Sequence, residues 1–352
     1  MLPSPAVTGG RSSEGEHVLL ALARAGDENA FGDLIAPYVR ELHVHCYRML
    51  GSVHDAEDVL QEVLLRAWRH LGSYAEQGSV RGWLYRIATN RCLTSRAKAA
   101  AGPAPAAFPA PPPPNATDVE VTALTPYPDE WLRELAGPGD PAAWYELRES
   151  VQLAFLTVLQ LLSPRQRAVL LLRDVLTFSA AETAQILQIT PAAVNSALQR
   201  ARASLDAYKS SGRLRPDGAP EPGAERRLVK RFNAAWEACD IPALVSVLAE
   251  DCLLTMPPAP LAYRGRQAIG TFFGTVPAGG DLAAIRLVEV RANGQPAVAA
   301  YQHDGAAARA YGIMVFTVSH GMIGEITGFA DPSLFAMFGL PQHTEWRRGR
   351  AG

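Results

Sequence analysis

Apolar positions recur every three to four residues through residues 16–98 and again through 141–209, the period of helices with one buried face. FGDLIAPYVRELHVHCYRML predicts one helix with Pro37 near its start, and GSVHD a turn. DAEDVLQEVLLRAW, residues 55–68, predicts a helix whose buried stripe is Ala56, Val59, Leu60, Val63 and Ala67. YAEQGS is a loop and VRGWLYRIATNRCLTSRAKAA a further helix. In the second stretch, LSPRQRAVLLLRDVL opens with Ser163 as N-cap and Pro164 at the first helical position. SAAETAQILQI is a short helix, Thr190 marks a turn, and PAAVNSALQRARASLDAY closes the set from Pro191. From residue 225 the pattern changes. ERRLVKRFNAAWEACDIPALVSVLAEDC reads as two helices; LLTMPPAP, IRLVEVRANGQPAVAAYQH and ARAYGIMVFTVSHGMIGEITGF read as short strands with Gly and Asn turns. Helices followed by antiparallel strands predict an α+β domain.

Breakers divide these blocks. In AAGPAPAAFPAPPPPN each proline removes a backbone donor and fixes φ, so the segment is an extended linker. The acidic DVEVTALTPYPDEWLRELAGPGD follows it, and RLRPDGAPEPGAE forms a second linker. The expected organisation is therefore a disordered N-terminus (1–15), an all-α domain (16–98), a Pro-rich then acidic linker (99–140), a second all-α domain (141–210), a linker (211–224), an α+β domain (225–345) and a tail (346–352). The formal net charge of −2 hides blocks of opposite sign. Residues 66–98 carry seven Lys/Arg against Glu76, whereas 115–149 carry eight acids against Arg133 and Arg148, an alternation more informative than the total. MLPSPAVTGGRSSEGE lacks the apolar core of a secretory signal, and VQLAFLTVLQLL is too short to span a bilayer; a cytoplasmic protein without membrane contact is expected. Cys46, Cys92, Cys239 and Cys252 show no CxxC or metal-ligand spacing, which predicts reduced thiols and neither metal nor cofactor.

Three surfaces carry chemistry. The outer face of helix 55–68 holds Asp58, Gln61 and Glu62, then Leu65. A lone exposed leucine is common, but an acidic face with an apolar centre also suits docking. Residues 179–208 have the spacing of a helix-turn-helix, with Ile189 as apolar plug and Val194, Leu198, Ala201 and Leu205 facing the core. Its outer side offers Asn195, Ser196, Gln199, Arg200 and Arg202, side chains that bond adenine, guanine or phosphate in a major groove. Any two packed helices with polar exteriors share part of this pattern. The helix Val80–Ala99 places Arg86, Thr89, Asn90 and Arg96 on one face beside Trp83 and Tyr85, an arrangement for unstacked bases or, equally, a solvated basic face over core aromatics.

DAEDVLQEVLLRAW, GWLYRIATNRCLTSR and LSPRQRAVLLLRDVLTFSAAETAQILQITPAAVNSALQRARASL, in that order, resemble the extracytoplasmic-function sigma factors of bacterial RNA polymerase, over residues 28–98 and 148–208. PYPDEWL, VNSALQRARA and FADPSLFAMFGLP resemble the sigma-G-like subgroup, which implies a SnoaL-like domain of the NTF2-like cone fold over 225–345. The resemblance implies that Asp58, Gln61, Glu62, Leu65 and Arg66 meet the clamp helices of the polymerase β′ subunit, with the β flap as a further contact of the enzyme. It places the promoter −10 element against the Tyr74–Ser79 loop, including Tyr74, Gln77 and Ser79, and against Arg86, Asn90 and Arg96. It places the −35 element against Thr190, Asn195, Ser196, Gln199, Arg200 and Arg202. The acidic linker would lie in the polymerase channel that otherwise holds RNA. Family recognition helices commonly carry basic residues where Asn195, Ala197 and Gln199 stand, so phosphate attraction here should be weaker.

In the α+β domain Trp236, Met256, Phe272, Tyr301, Tyr311 and Phe329, with Phe273, Met314 and Phe316, line a cone-shaped pocket for a small ligand or simply form its core. Asp251 at a helix end, His303, Asp304, His320 and Asp331 are the acid–base candidates of a related enzyme, a role fold analogy does not transfer. A second related subgroup carries a DGGGR-like sequence, for which only PAGGD at 277–281 is found. The expectation is a non-enzymatic sigma factor whose fused domain modulates polymerase binding. The alternatives are a ligand-responsive helix-turn-helix regulator and an enzyme in the last domain.

Overall fold

The computed structural model describes residues 13–74, 79–99, 116–118, 124–136, 141–210, 223–305 and 307–345. The chain divides into a helical unit, residues 1–103 with 133–214, and a C-terminal unit, 104–132 with 215–352.

The helical unit begins with α1 (Ser13–Arg24), α2 (Glu28–Leu50), α3 (Val53–His70) and α4 (Val80–Ala99). Helix α2 starts where the Asp27 side chain accepts from the N–H groups of Asn29 and Ala30, and stops at Gly51, whose φ of 84° lets its N–H turn back to the Tyr47 carbonyl. Pro37 lies inside it, as the sequence predicts. After α5 (Asp129–Ala136) come α6 (Pro141–Glu149), α7 (Leu153–Leu161), α8 (Pro164–Leu170), α9 (Ala180–Leu187) and α10 (Pro191–Ser210). Reciprocal capping boxes, Ser163 with Gln166 and Ser179 with Glu182, fix the starts of α8 and α9. Helix α8 runs on into a π turn, Leu171–Val175.

The two helical stretches expected as separate domains form one unit, and Arg167 is one reason. Its guanidinium is fully buried. It donates to the Leu159, Gln160 and Leu162 carbonyls at the end of α7 and to the Gln160 side chain, at 2.6–3.3 Å, and to the Met49 carbonyl at the end of α2. A buried cation is tolerable only with its donors satisfied; here two helix C-termini, which carry partial negative charge, supply the acceptors. Nearby, Arg81 lies over the Tyr85 and Phe178 rings at 5.0 and 4.8 Å and pairs with Glu41 at 3.2 Å.

The C-terminal unit is a sheet ordered β1-β3-β2-β7-β6-β5-β4, with β8 on β6. The strands are β1 (Ala116–Asp118), β2 (Leu248–Met256), β3 (Ala259–Arg264), β4 (Ile285–Ala292), β5 (Gln295–Asp304), β6 (Ala307–Ser319), β7 (Met322–Phe329) and β8 (His343–Glu345). All neighbours run antiparallel except β2 and β7. Helices α11 (Ala224–Glu237), α12 (Ile241–Ser246) and α13 (Arg266–Phe273) bury Phe232, Trp236, Phe272 and Phe273 with Leu254, Val298, Phe316 and Ile326 of the strands. VLAEDC, read as helix from sequence, is mostly strand: Leu248, Cys252 and Leu254 are buried in β2, which pairs with β3 and β7.

Part of the acidic segment read as linker is built into this unit. Tyr127 is fully buried, its N–H bonded to the Asn293 side chain and its carbonyl accepting from the Asn293 N–H, at 2.9 and 2.8 Å. Asp129, 2% exposed, accepts from the Gly294 N–H at 2.6 Å and pairs with Arg291 at 3.0 Å. The β4–β5 hairpin turn, with Asn293 and Gly294 at positive φ, thus also grips PYPDEWL.

Candidate functional site

On α3 the apolar stripe Ala56, Val59, Leu60, Val63 and Ala67 is buried, and the helix is fixed by its N-cap Ser52. That packing turns Asp58, Gln61, Glu62, Leu65 and Arg66 to solvent. Positions 58, 61, 62 and 65 are successive three- and four-residue neighbours along one stripe. Leu65 is 55% exposed, the apolar centre of a charged patch extended by Asp55 and Glu57. Glu62 is held by an ion pair with Arg91 of α4, a partner that sequence periodicity does not link to it. Such a face offers carboxylates for steering and one apolar group to dehydrate.

The residues expected at the −10 element separate. Arg86 is exposed and Asn90 half-buried, one turn apart on α4. Ser79 is exposed, with its hydroxyl accepting from the Gly82 N–H to cap α4. Tyr74 is not a free loop residue: it is buried, its ring 5.2 Å from that of Trp83, with Arg24 bonded to its carbonyl. An aromatic beside a loop looks the same in sequence whether it awaits a base or closes a core. Gln77 and the Arg96 side chain lie outside the described residues. Thr89 is buried and bonded to His45 at 2.9 Å. Burial, with the neighbouring Arg48 and Arg81 charges, holds His45 down to about 3, and burial with Arg40 holds His43 down to about 4.

Helices α9 and α10 form the helix-turn-helix. Gln188 ends α9 in the left-handed region, at φ 55°, and the Ile189 N–H returns to the Ala184 carbonyl. Thr190 caps α10 through the Ala193 N–H. Val194, Leu198, Ala201 and Leu205 are buried, which leaves Asn195, Ser196, Gln199, Arg200 and Arg202 exposed. Beside them an open groove of about 540 Å³ lies between α10 and the π turn. Arg202 is partly committed: its fork meets Asp174 of that turn at 2.9 and 2.7 Å. They stand 28 positions apart, and no periodic signal in the sequence would pair them.

The aromatic set of the C-terminal unit divides between the two sheet faces. Trp236, Met256 and Phe272 belong to the core, and Tyr311 packs against it. Trp236 donates to the Ile285 carbonyl at 3.1 Å, and its ring meets Phe273 edge-on at 5.4 Å. Tyr301 and Phe329 are buried outside that cluster; Tyr301 stacks edge-on with Phe335 and donates to the Pro341 carbonyl. Val298 and Ala300 face the core, so strand alternation turns Tyr301 to the opposite face. The acid–base candidates are dispersed: Asp251 is an exposed residue of β2 and does not end a helix, His303 is exposed on β5, His320 sits in the β6–β7 turn, and Asp331 caps the turn after β7. The Asp304 side chain is outside the described residues. Glu325, which no sequence pattern singles out, is pushed up to about 7 by burial against the pull of Arg264.

A helix with an exposed charged face, a helix-turn-helix and a sheet-and-helix unit on one chain fit the class of transcription initiation factors with an accessory domain. The comparisons agree: residues 34–101 match sigma-70 region 2, residues 152–205 sigma-70 region 4, and residues 229–326 the SnoaL-like domain. The chain is 41% identical over 322 residues to the ECF RNA polymerase sigma factor SigG of Mycobacterium tuberculosis, covering 90% of this chain and 85% of that one. It is 28% identical over 323 residues to SigJ of the same organism, covering 86% and 93%. The crystal structure of M. tuberculosis SigJ superposes with a TM-score of 0.56 at 25% identity, covering 86% of this chain and 96% of that one. The chain belongs to the ECF RNA polymerase sigma factors, proteins that bind core RNA polymerase and direct it to promoters.

Proposed function

We propose that the α3 face binds the β′ clamp helices through Asp58, Gln61, Glu62, Leu65 and Arg66. The observation that carries this reading is Leu65, an exposed apolar residue inside a charged rim on a helix whose other face is fully committed to its core. Helix α10 reads the −35 element with Asn195, Ser196, Gln199 and Arg200, Thr190 placing its first turn, and Arg202 shares its charge between Asp174 and phosphate. Arg86 and Asn90 of α4 take the −10 region, with Ser79 capping that helix. Contact of the second helical region with the β flap completes the assembly, which acts in the cytoplasm where polymerase works.

The C-terminal unit modulates this activity, without substrate turnover. Support comes from its grip on Tyr127 and Asp129, which lie in the chain between the two sigma regions. Those residues are thereby withheld from the polymerase channel the acidic segment was expected to occupy. A filled aromatic core favours this role over a ligand pocket lined by Trp236 and Phe272.

Run-off transcription with purified core polymerase on a genomic DNA pool tests the reading. The full chain is expected to start transcripts at a discrete promoter set, and Asn195→Ala with Gln199→Ala to change that set. Initiation independent of the added chain would contradict it.

A further inference from the structure

One side chain of the C-terminal unit reaches three separate parts of that unit. Arg291, the next-to-last residue of β4, donates through Nε to the Asp129 carboxylate at 3.0 Å and through Nη1 to the Glu225 carboxylate at 3.2 Å. Its Nη2 donates to the Gly294 carbonyl at 2.9 Å, and the Gly294 N–H donates to the other oxygen of Asp129 at 2.6 Å. Asp129 opens α5 and Glu225 stands in the first turn of α11. Residues 130–224 lie between the two acids, and that stretch contains the whole of the sigma-70 region 4 match, 152–205. We propose that Arg291 is the positioning residue of a double clasp, which fastens both ends of the stretch carrying region 4 to the C-terminal unit at one point and unfastens them together.

The consequence for transcription rests on the reading of this unit as a modulator; the clasp itself stands on three observations. First, a guanidinium is planar, always charged and carries its donors in a fixed fork, so acceptors on three of its nitrogens hold it in one orientation. Second, two carboxylates that meet one guanidinium lie close enough to repel each other, and the cation between them offsets that repulsion for both. The Asp129 and Glu225 side chains are 3% and 14% exposed, so water screens them little. Loss of Arg291 therefore weakens both ends, not one. Third, the Arg291 side chain is 34% exposed and lies outside the hydrophobic cluster of the unit, so it turns out into water without disturbing the sheet. One side-chain rotation breaks both ion pairs. Acids in the first turn of a helix also offset the helix dipole on their own. That role needs no Arg291, and the test separates the two.

The test follows hydrogen exchange in the full chain, wild type against Arg291→Gln, in peptides covering 124–136 and 224–237, with β5 and β6 as internal control. Arg291→Gln should raise exchange in both segments by a common factor of about ten or more, because each loses a charge-assisted hydrogen bond. Protection of β5 and β6 should be unchanged. Acceleration in one segment alone, or in neither, would overturn the proposal and reduce the two acids to helix-end charges. If the glutamine variant loses protection in β5 and β6 as well, Arg291→Lys is read in its place. Lysine keeps the charge without the planar fork, and should loosen both segments by a smaller common factor with the sheet intact. Exchange of that variant equal to wild type, or raised in one segment alone, would overturn the proposal. Run-off transcription with core polymerase and the same variant separates the clasp from its consequence. A transcript yield shifted in the same direction as by Asp129→Ala upholds both. An unchanged yield with acceleration in both segments leaves the clasp standing and overturns the modulator reading.

Discussion

The two units commit their side chains in opposite directions. In the helical unit the apolar stripes of α3 and α10 are spent on packing, and what remains outside is chemically specific: Leu65 in its charged rim on one helix, Asn195 and Gln199 on the other. In the C-terminal unit the aromatic residues expected to meet a ligand interlock with one another, and a polar cluster at Asn293, Gly294 and the half-buried Arg291 grips a piece of the same chain. The helical unit leaves chemically specific side chains facing outward, whereas the C-terminal unit spends its polar turn on its own polypeptide.

Substitutions can break this contrast at several strengths. Arg167→Met should have the largest effect, destabilising the helical unit by about 3–5 kcal/mol, because it strands the acceptors at the ends of α2 and α7. Denaturant unfolding followed by a probe in that unit reads it. Asp129→Ala should cost the C-terminal unit about 2–3 kcal/mol, since the Gly294 N–H loses its acceptor and Arg291 keeps only Glu225 and the Gly294 carbonyl. The same variant should change transcription output with core polymerase if holding this segment is regulatory.

Acid should act on the helical unit through two buried imidazoles. Unfolded, His43 and His45 titrate near 6.5; folded, they are held down to about 4 and about 3. The unfolded state therefore binds more protons across that window. Stability present above pH 6.5 is lost as pH falls through it, by about 1.4 kcal/mol per pH unit for each imidazole. His45→Gln should flatten the pH dependence of the melting temperature. Smallest is Asp174→Ala: an exposed pair contributes at most about 1 kcal/mol to stability, but freeing Arg202 should steepen the salt slope of promoter binding by about 1.

Local periodicity made the outward faces of α3 and α10 legible, because burial of Val59, Leu60 and Val63, or of Val194 and Leu198, dictates which neighbours face water. Capping by Ser163 was legible for the same reason, acting over three residues. What sequence missed depends on distant partners. Tyr127 finds Asn293 across 166 residues, and β2 is a strand because β3 and β7 pair with it, although Ala249 and Glu250 favour helix locally. Tyr74 and Trp83 carried an ambiguous signal, since stacking on a base and stacking on each other call for the same residue types.

The central claim is that one exposed leucine in an acidic rim docks this chain on polymerase. Titration of purified core RNA polymerase with the full chain and with Leu65→Asp tests it directly. The account predicts stoichiometric binding by wild type, a loss of affinity of about 30-fold or more in the variant, and an unchanged melting temperature, because Leu65 lies outside the core. Equal affinity of the two proteins for core polymerase would contradict it.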